Sequence, residues 1–187
     1  TLGAALELVA GVRPSCPVVL FSYLNPVLRY GMEKFLADAA DVGIAGVLFT
    51  DLPAGGDPEI ETMIANSPLD PIRMVAPTTS ESRLPVILGG ATGFIYLVAR
   101  LGVTGMSASL DAGLAGSIER VRRHTPLPVA AGFGISTPDQ VREAGKLADG
   151  VVVGSALVRK VEEDGPDAAI RFLRDLRDAL PQAAGAS

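Results

Sequence analysis

The chain has 187 residues, 48% of them hydrophobic and 20% charged, which suits one globular domain with a sizeable core and excludes a disordered chain. A net charge of −5 disfavours nucleic acid or an anionic membrane as the main partner. The single cysteine, Cys16, excludes an internal disulfide and fits a reducing cytoplasm, and no apolar run reaches the length of a membrane span.

Thr1–Val12 carries Leu2, Ala5, Leu6 and Val9 at helical spacing, so the chain is expected to start inside an uncapped helix. Pro17–Tyr23 is a buried strand. Met32–Val42 is a helix with Phe35, Leu36 and Ala39 on its inner face. Gly46–Asp51 is a strand ended by Pro53. Asp57–Ala65 is a short helix capped by Asp57, with Pro58 at its first position. Ile72–Ala76 is a strand running into Pro77, Thr78 and Thr79. Ser80–Leu88 reads as helical, but Pro85 shortens or kinks it. Phe94–Ala99 is a strand. Val103–Gly116 is a loop rich in Gly, Ser and Ala, overlapping a helix Leu114–Arg123 with Leu114, Ile118 and Val121 inward. The closing helix, Asp167–Leu180, has Ile170, Leu173, Leu176 and Leu180 inward.

Between these last two helices lies the most informative stretch, Leu127–Ala156. Leu127–Ala131 and Gly150–Val153 are apolar runs of strand length, each ending in glycine: Gly132-Phe133-Gly134, then Gly154-Ser155. Thr137-Pro138-Asp139-Gln140 opens the intervening helix with a capping-box pattern. A short helix, Ser155–Lys160, starts at the second turn. Two neighbouring strands with glycine turns, plus a short extra helix N-terminus, is the phosphate site found after strands 7 and 8 of (β/α)8 barrels. Six near-continuously apolar strands alternating with helices mean a parallel sheet covered on both faces. The phosphate pattern selects a TIM barrel over a doubly wound sheet. A full barrel needs about 250 residues, so six βα units are expected here, with the first two missing from the front of one partial TIM-barrel domain spanning 1–187.

Barrel chemistry sits at the C-terminal ends of strands. Asp51 is the only carboxylate directly at such an end; it is either a general acid or base or a turn aspartate. Tyr23 and Tyr96 either line a planar apolar pocket or belong to the core. Val103–Gly113 has the composition of a lid. The three lysines, Lys34, Lys146 and Lys160, fall on helices, which argues against a Schiff-base aldolase. His124 stands at a helix end, and one His with one Cys makes no ordinary zinc site. No nucleotide P-loop or GxSxG elbow is present.

The runs FSYLNPVLRYG, AGVLFTDLP, VAPTT, GFIYLVARLGVTG, PVAAGFGISTPDQV and ADGVVVGSALV, in order from about Pro17 to Val161, resemble the tryptophan synthase alpha subunit. The resemblance implies a TIM-barrel lyase of tryptophan biosynthesis. It cleaves indole-3-glycerol phosphate to indole and glyceraldehyde 3-phosphate by a retro-aldol step. No cofactor is used, and indole passes to a beta subunit that carries pyridoxal phosphate. It further implies that Gly105, Phe133, Gly134, Gly154 and Ser155 hold the phosphate and that Tyr23, Leu48 and Tyr96 surround the indole. Thr104 becomes a lid residue, and Asp51 a residue of communication with the beta subunit rather than of proton transfer. The family's catalytic Glu and Asp are expected ahead of Thr1, so no catalytic residue is assigned within the chain, and the activity of this stretch alone is in question. Ala54-Gly55-Gly56 stand where the family has an acidic pair after Asp51-Leu52-Pro53. The competing expectations are a truncated, inactive phosphate-binding partner of the beta subunit, or another phosphate-barrel enzyme.

Overall fold

The computed structural model describes residues 1–98, 108–132 and 134–181, with the side chains of 108–112 left aside. The chain forms two compact units, Thr1–Val75 with Thr79–Ile95, and Ala76–Thr78 with the chain from Tyr96 on.

In the first unit, helix α1 (Leu2–Val12) leads to strand β1 (Val18–Ser22), helices α2 (Leu24–Tyr30) and α3 (Met32–Asp41), and strand β2 (Ile44–Phe49). Helix α4 (Pro58–Ala65), strands β3 (Asp70–Pro71) and β4 (Arg73–Val75), a 3₁₀ turn (Glu81–Arg83) and helix α5 (Leu84–Leu88) complete it. Strands β1, β2 and β3 form a parallel sheet, with Leu20 beside Val47 and Val47 beside Pro71. Helices cover it: Leu6, Val27, Phe35, Leu36, Ala39, Ile60 and Ile64 pack with Ile44, Val47 and Phe49 in one apolar cluster. The Phe35 and Phe49 rings meet edge to face at 6.3 Å.

Several expectations change here. Thr1 is not an idle first residue of a helix, because its hydroxyl accepts from Ala4 N at 3.3 Å and caps α1. Helix α2 was not anticipated. Pro26 hides it in the sequence, yet Pro is harmless in a first turn, where no backbone N–H needs a helical partner. The second strand starts earlier, at Ile44, and ends at Phe49. The strand expected at Ile72–Ala76 is the shorter β4, Arg73–Val75, and a separate two-residue strand, β3, precedes it. Pro85 acts as foreseen: it sits in the first turn of α5, after a separate 3₁₀ turn.

In the second unit, strand β5 (Ile95–Val98, from Tyr96 on) is followed by helix α6 (Ala108–Arg122), strand β6 (Val129–Gly132), helix α7 (Pro138–Leu147), strand β7 (Gly150–Val152), and helices α8 (Ser155–Asp164) and α9 (Pro166–Asp178). β6 and β7 are parallel, with Ala130 beside Gly150 and Gly132 beside Val152. Leu114, Ile118 and Val121 of α6 are buried, as their spacing foretold. The expected loop is shorter, since α6 already begins at Ala108, and the remainder of the lid stretch lies outside the described residues. Helix α8 runs to Asp164 rather than Lys160. Helix α9 ends at Asp178, short of the expected Leu180, and of the four expected inward residues only Leu176 is buried; Ile170, Leu173 and Leu180 are exposed, and Ala169 is buried instead.

Candidate functional site

The first unit brings together the turns after β1 and β2. Tyr23 follows β1 directly and is the N-terminal flanking residue of α2, itself 65% exposed. Leu24 N–H, the first of that helix, donates to Asp51 Oδ1 at 2.7 Å, and Thr50 N–H donates to Ser22 O at 3.1 Å. Asp51 therefore satisfies an orphan donor at a helix start, where a negative charge also meets the positive end of the helix dipole. The carboxylate singled out as a candidate acid or base has a structural task, locking one strand-end turn to the next. Residue type and position at the strand end were legible; the partner, 27 residues away in the chain, was not. Leu48 is 1% exposed within β2.

The second unit holds the glycine turns. Tyr96 of β5 is buried, and burial pushes its phenol above the ordinary tyrosine value. Its ring lies against Gly132. A Cβ on Gly132 would meet the Tyr96 hydroxyl at 2.4 Å and ring atoms at 2.7 and 2.8 Å. The first glycine of the Gly132-Phe133-Gly134 turn thus makes room for a side chain, not for an anion. Gly134 is different: its φ of +79° belongs to the left-handed region that side chains disfavour. Since Gly132 pairs with Val152, Gly134 and Gly154 each stand two residues past the paired strand ends.

Gly154 flanks the start of α8, and its carbonyl accepts from Leu157 and Val158 N–H. Its φ is −113°, outside the left-handed region, and a Cβ there would point into open space. Ahead of the Leu157 and Val158 donors, the N–H groups of Ser155 and Ala156 at the start of α8 lack helical acceptors by the geometry of any helix start. They form a donor array with a partial positive charge, the arrangement that receives phosphate. Helix α7, between the two turns, is held by a full capping box: Thr137 Oγ1 accepts from Gln140 N–H, and Gln140 Oε1 accepts from Thr137 N–H and from Ser136 N–H at 2.8 Å. Phe133, Thr104 and Gly105 lie outside the described residues.

One pinning contact escaped the sequence reading. Asp149 Oδ2 accepts from Val129 N–H at 2.8 Å and Oδ1 accepts from Arg122 at 2.9 Å. The Val129 hydrogen bond, ahead of the Arg122 interactions, holds the Asp149 carboxyl below its ordinary value. The motif that places it, Ala148-Asp149-Gly150, carries no signal of its partners. Among the described residues no three His, Cys, Asp or Glu side chains gather as a metal site, and Lys34, Lys146 and Lys160 all lie on helices.

Known proteins carry the same pattern. The tryptophan synthase alpha chain family matches residues 1–181. The tryptophan synthase alpha chain of Solibacter usitatus is 42% identical over 184 residues, which is 95% of this chain and 69% of that protein. The tryptophan synthase subunit alpha of Campylobacter jejuni superposes with a TM-score of 0.86 at 29% identity, covering 93% of this chain and 70% of the other. The A-subunit from Pyrococcus furiosus gives 0.80 at 34% identity, covering 96% and 73%. Parallel strands alternating with helices, glycine turns two residues past paired strand ends, and a match along nearly the whole length converge on one assignment: the chain belongs to the tryptophan synthase alpha chain family, whose fold is the TIM barrel.

Proposed function

We propose that this chain is the indole-3-glycerol phosphate lyase component of tryptophan synthase and works with a beta subunit in tryptophan biosynthesis. The observation that carries the reading is the pair of adjacent parallel strands, β6 and β7, each followed two residues on by a glycine, with α8 starting beside the second. Gly105, Phe133, Gly134, Gly154 and Ser155 take the phosphate. Backbone donors and a helix dipole suit a dianionic ligand in a protein of net charge −5. Tyr23, Leu48 and Tyr96 take the indole ring. Thr104 and Asp51 couple the lid to the beta subunit, and the Asp51 bond to Leu24 N–H would carry a displacement of its turn to α2.

The alpha-chain reaction needs no cofactor of its own, since proton transfer alone breaks the carbon–carbon bond; pyridoxal phosphate belongs to the beta subunit. The residues named here recognise the substrate and couple it to the beta subunit. No helix among the described residues is long and apolar enough to cross a membrane, and a small phosphorylated substrate fits a cytoplasmic location. The family match along the chain favours an alpha subunit over a partner that only binds phosphate.

The test uses an indole alkyl phosphate lacking the glycerol hydroxyls, which binds without being cleaved. Gly134→Val should weaken its binding about tenfold or more, because valine disfavours φ of +79° and displaces the donors of the turn. Arg159→Ala should change it less than about twofold, as expected of a screened surface charge. Calorimetric titration with a circular dichroism check of folding reads both; equal losses would refute backbone recognition.

A further inference from the structure

The first unit has a partly open cavity of about 270 Å³ below the turn that follows β2, between α4 and the 3₁₀ turn with α5. Its wall is mainly apolar, from residues such as Phe49, Ile64 and Ile87, but it also includes Thr50, Arg73 and Arg83. Two of its lining residues carry buried polar atoms that have no hydrogen-bond partner among the described residues: Thr50 Oγ1 and Arg73 Nε. Buried polar atoms are nearly always satisfied, because each left unpaired costs about 1–3 kcal/mol. The two belong to different strand ends and line one cavity.

The nearby carboxylates are already engaged. Glu61 accepts from Gly55 N–H at 2.8 Å and reaches Arg73 only at 3.5 Å, longer than a good hydrogen bond. Asp51 is committed to Leu24 N–H. Arg83 spends one nitrogen on Ala54 O at 3.1 Å. The side chain of Arg73 is only 13% exposed. A guanidinium that little solvated, with Nε unused, is a strong donor to a planar anion.

We infer that this cavity is a binding site for a small carboxylate with an apolar body, held by Arg73, Arg83 and the Thr50 hydroxyl. The volume falls at the lower edge of ligand pockets, roughly 300–1,000 Å³, which selects a single-ring molecule. The acid's oxygens would accept from Arg73 Nε–H and the Thr50 hydroxyl, and its ring would lie on the apolar wall. The phosphate and indole residues proposed above do not line this cavity; Asp51 of the coupling pair does, but the site is tested at Arg73 and Thr50, which that reading does not use.

Benzoate is the probe and neutral benzamide its control, titrated into the ¹⁵N-labelled chain with the Arg73 Nε–H and Gly55 amide signals followed by NMR. The expected result is a saturable shift of both with benzoate and binding of benzamide weaker by about tenfold or more, the difference a charged acceptor makes. Arg73→Lys keeps the charge and removes the Nε donor, and should weaken benzoate about tenfold. Thr50→Val keeps the volume and removes the hydroxyl, and should weaken it several-fold; it carries the test if the arginine variant does not fold. Absence of a saturable shift, equal binding of benzamide, or parent-like affinity in a folded Arg73→Lys or Thr50→Val variant overturns the inference.

Discussion

Gly132 and Tyr96 show how a single hydrogen in place of a methyl group shapes the second unit. Tyr96 is 8% exposed, and its ring occupies the volume that any Cβ at position 132 would need. The ring is rigid and buried, so it cannot swing away without disturbing its neighbours. Gly132→Ala should therefore cost about 1–3 kcal/mol, the usual penalty for overpacking a filled site. Removing the phenolic oxygen with Tyr96→Phe takes away the nearest of the clashing atoms, at 2.4 Å, but leaves ring carbons at 2.7 and 2.8 Å. The double variant should recover part of the loss. Thermal unfolding of the two single variants and the double tests this, and additive effects would show that the two positions do not touch.

At the level of elements, the parallel pair β6–β7 is held at its entry by Asp149. The carboxylate receives Val129 N–H from the start of β6 and Arg122 from the end of α6, while Asp149 N–H donates to Val129 O at 2.9 Å. One side chain thus ties three elements. Its folded-state pKa is depressed, so it stabilises the fold above its unfolded value of about 4, and that contribution is lost as pH falls through the lower folded value. The side chain is 44% exposed, so solvent screening keeps the ionic part small. Asp149→Ala should lower stability by about 1 kcal/mol near neutral pH, mostly through the lost bond to Val129. The gap between parent and variant should stay flat above about pH 5 and narrow below pH 4. Urea unfolding across that range is the measurement; a gap unchanged at the acid end would mean the charge plays no part.

On the scale of the molecule, the chain spans about 70% of the length of the alpha chains it matches and leaves large apolar side chains exposed. On α8, Val158 and Val161 are 57% and 45% exposed; on α9, Ile170 and Leu173 are 48% and 43% exposed. Each pair is three residues apart and so shares a helix face. Exposed apolar faces of this kind drive association. Val158→Lys combined with Ile170→Lys should reduce concentration-dependent light scattering of the 187-residue chain while leaving its thermal midpoint nearly unchanged, because neither side chain is in the core. Undiminished scattering would place the sticky surface elsewhere, with Leu8 and Val12 of α1, at 67% and 65% exposed, next in line.

Sequence alone determined the features that depend on near neighbours in the chain. The apolar runs, the Asp57 and Thr137 caps with their prolines, the buried faces of α3 and α6, and the glycine turns after β6 and β7 all rest on spacings of a few residues. The ordered motifs around them were enough to place the family. Tertiary structure alone decided what each long-range residue does. Asp51 reads as chemistry until Leu24 N–H is beside it, Gly132 reads as phosphate room until Tyr96 fills the space, and Asp149 is silent until Val129 and Arg122 converge on it. Ile170 and Leu173 have core spacing but are exposed, because periodicity names a helix's apolar face and only packing supplies the surface that covers it.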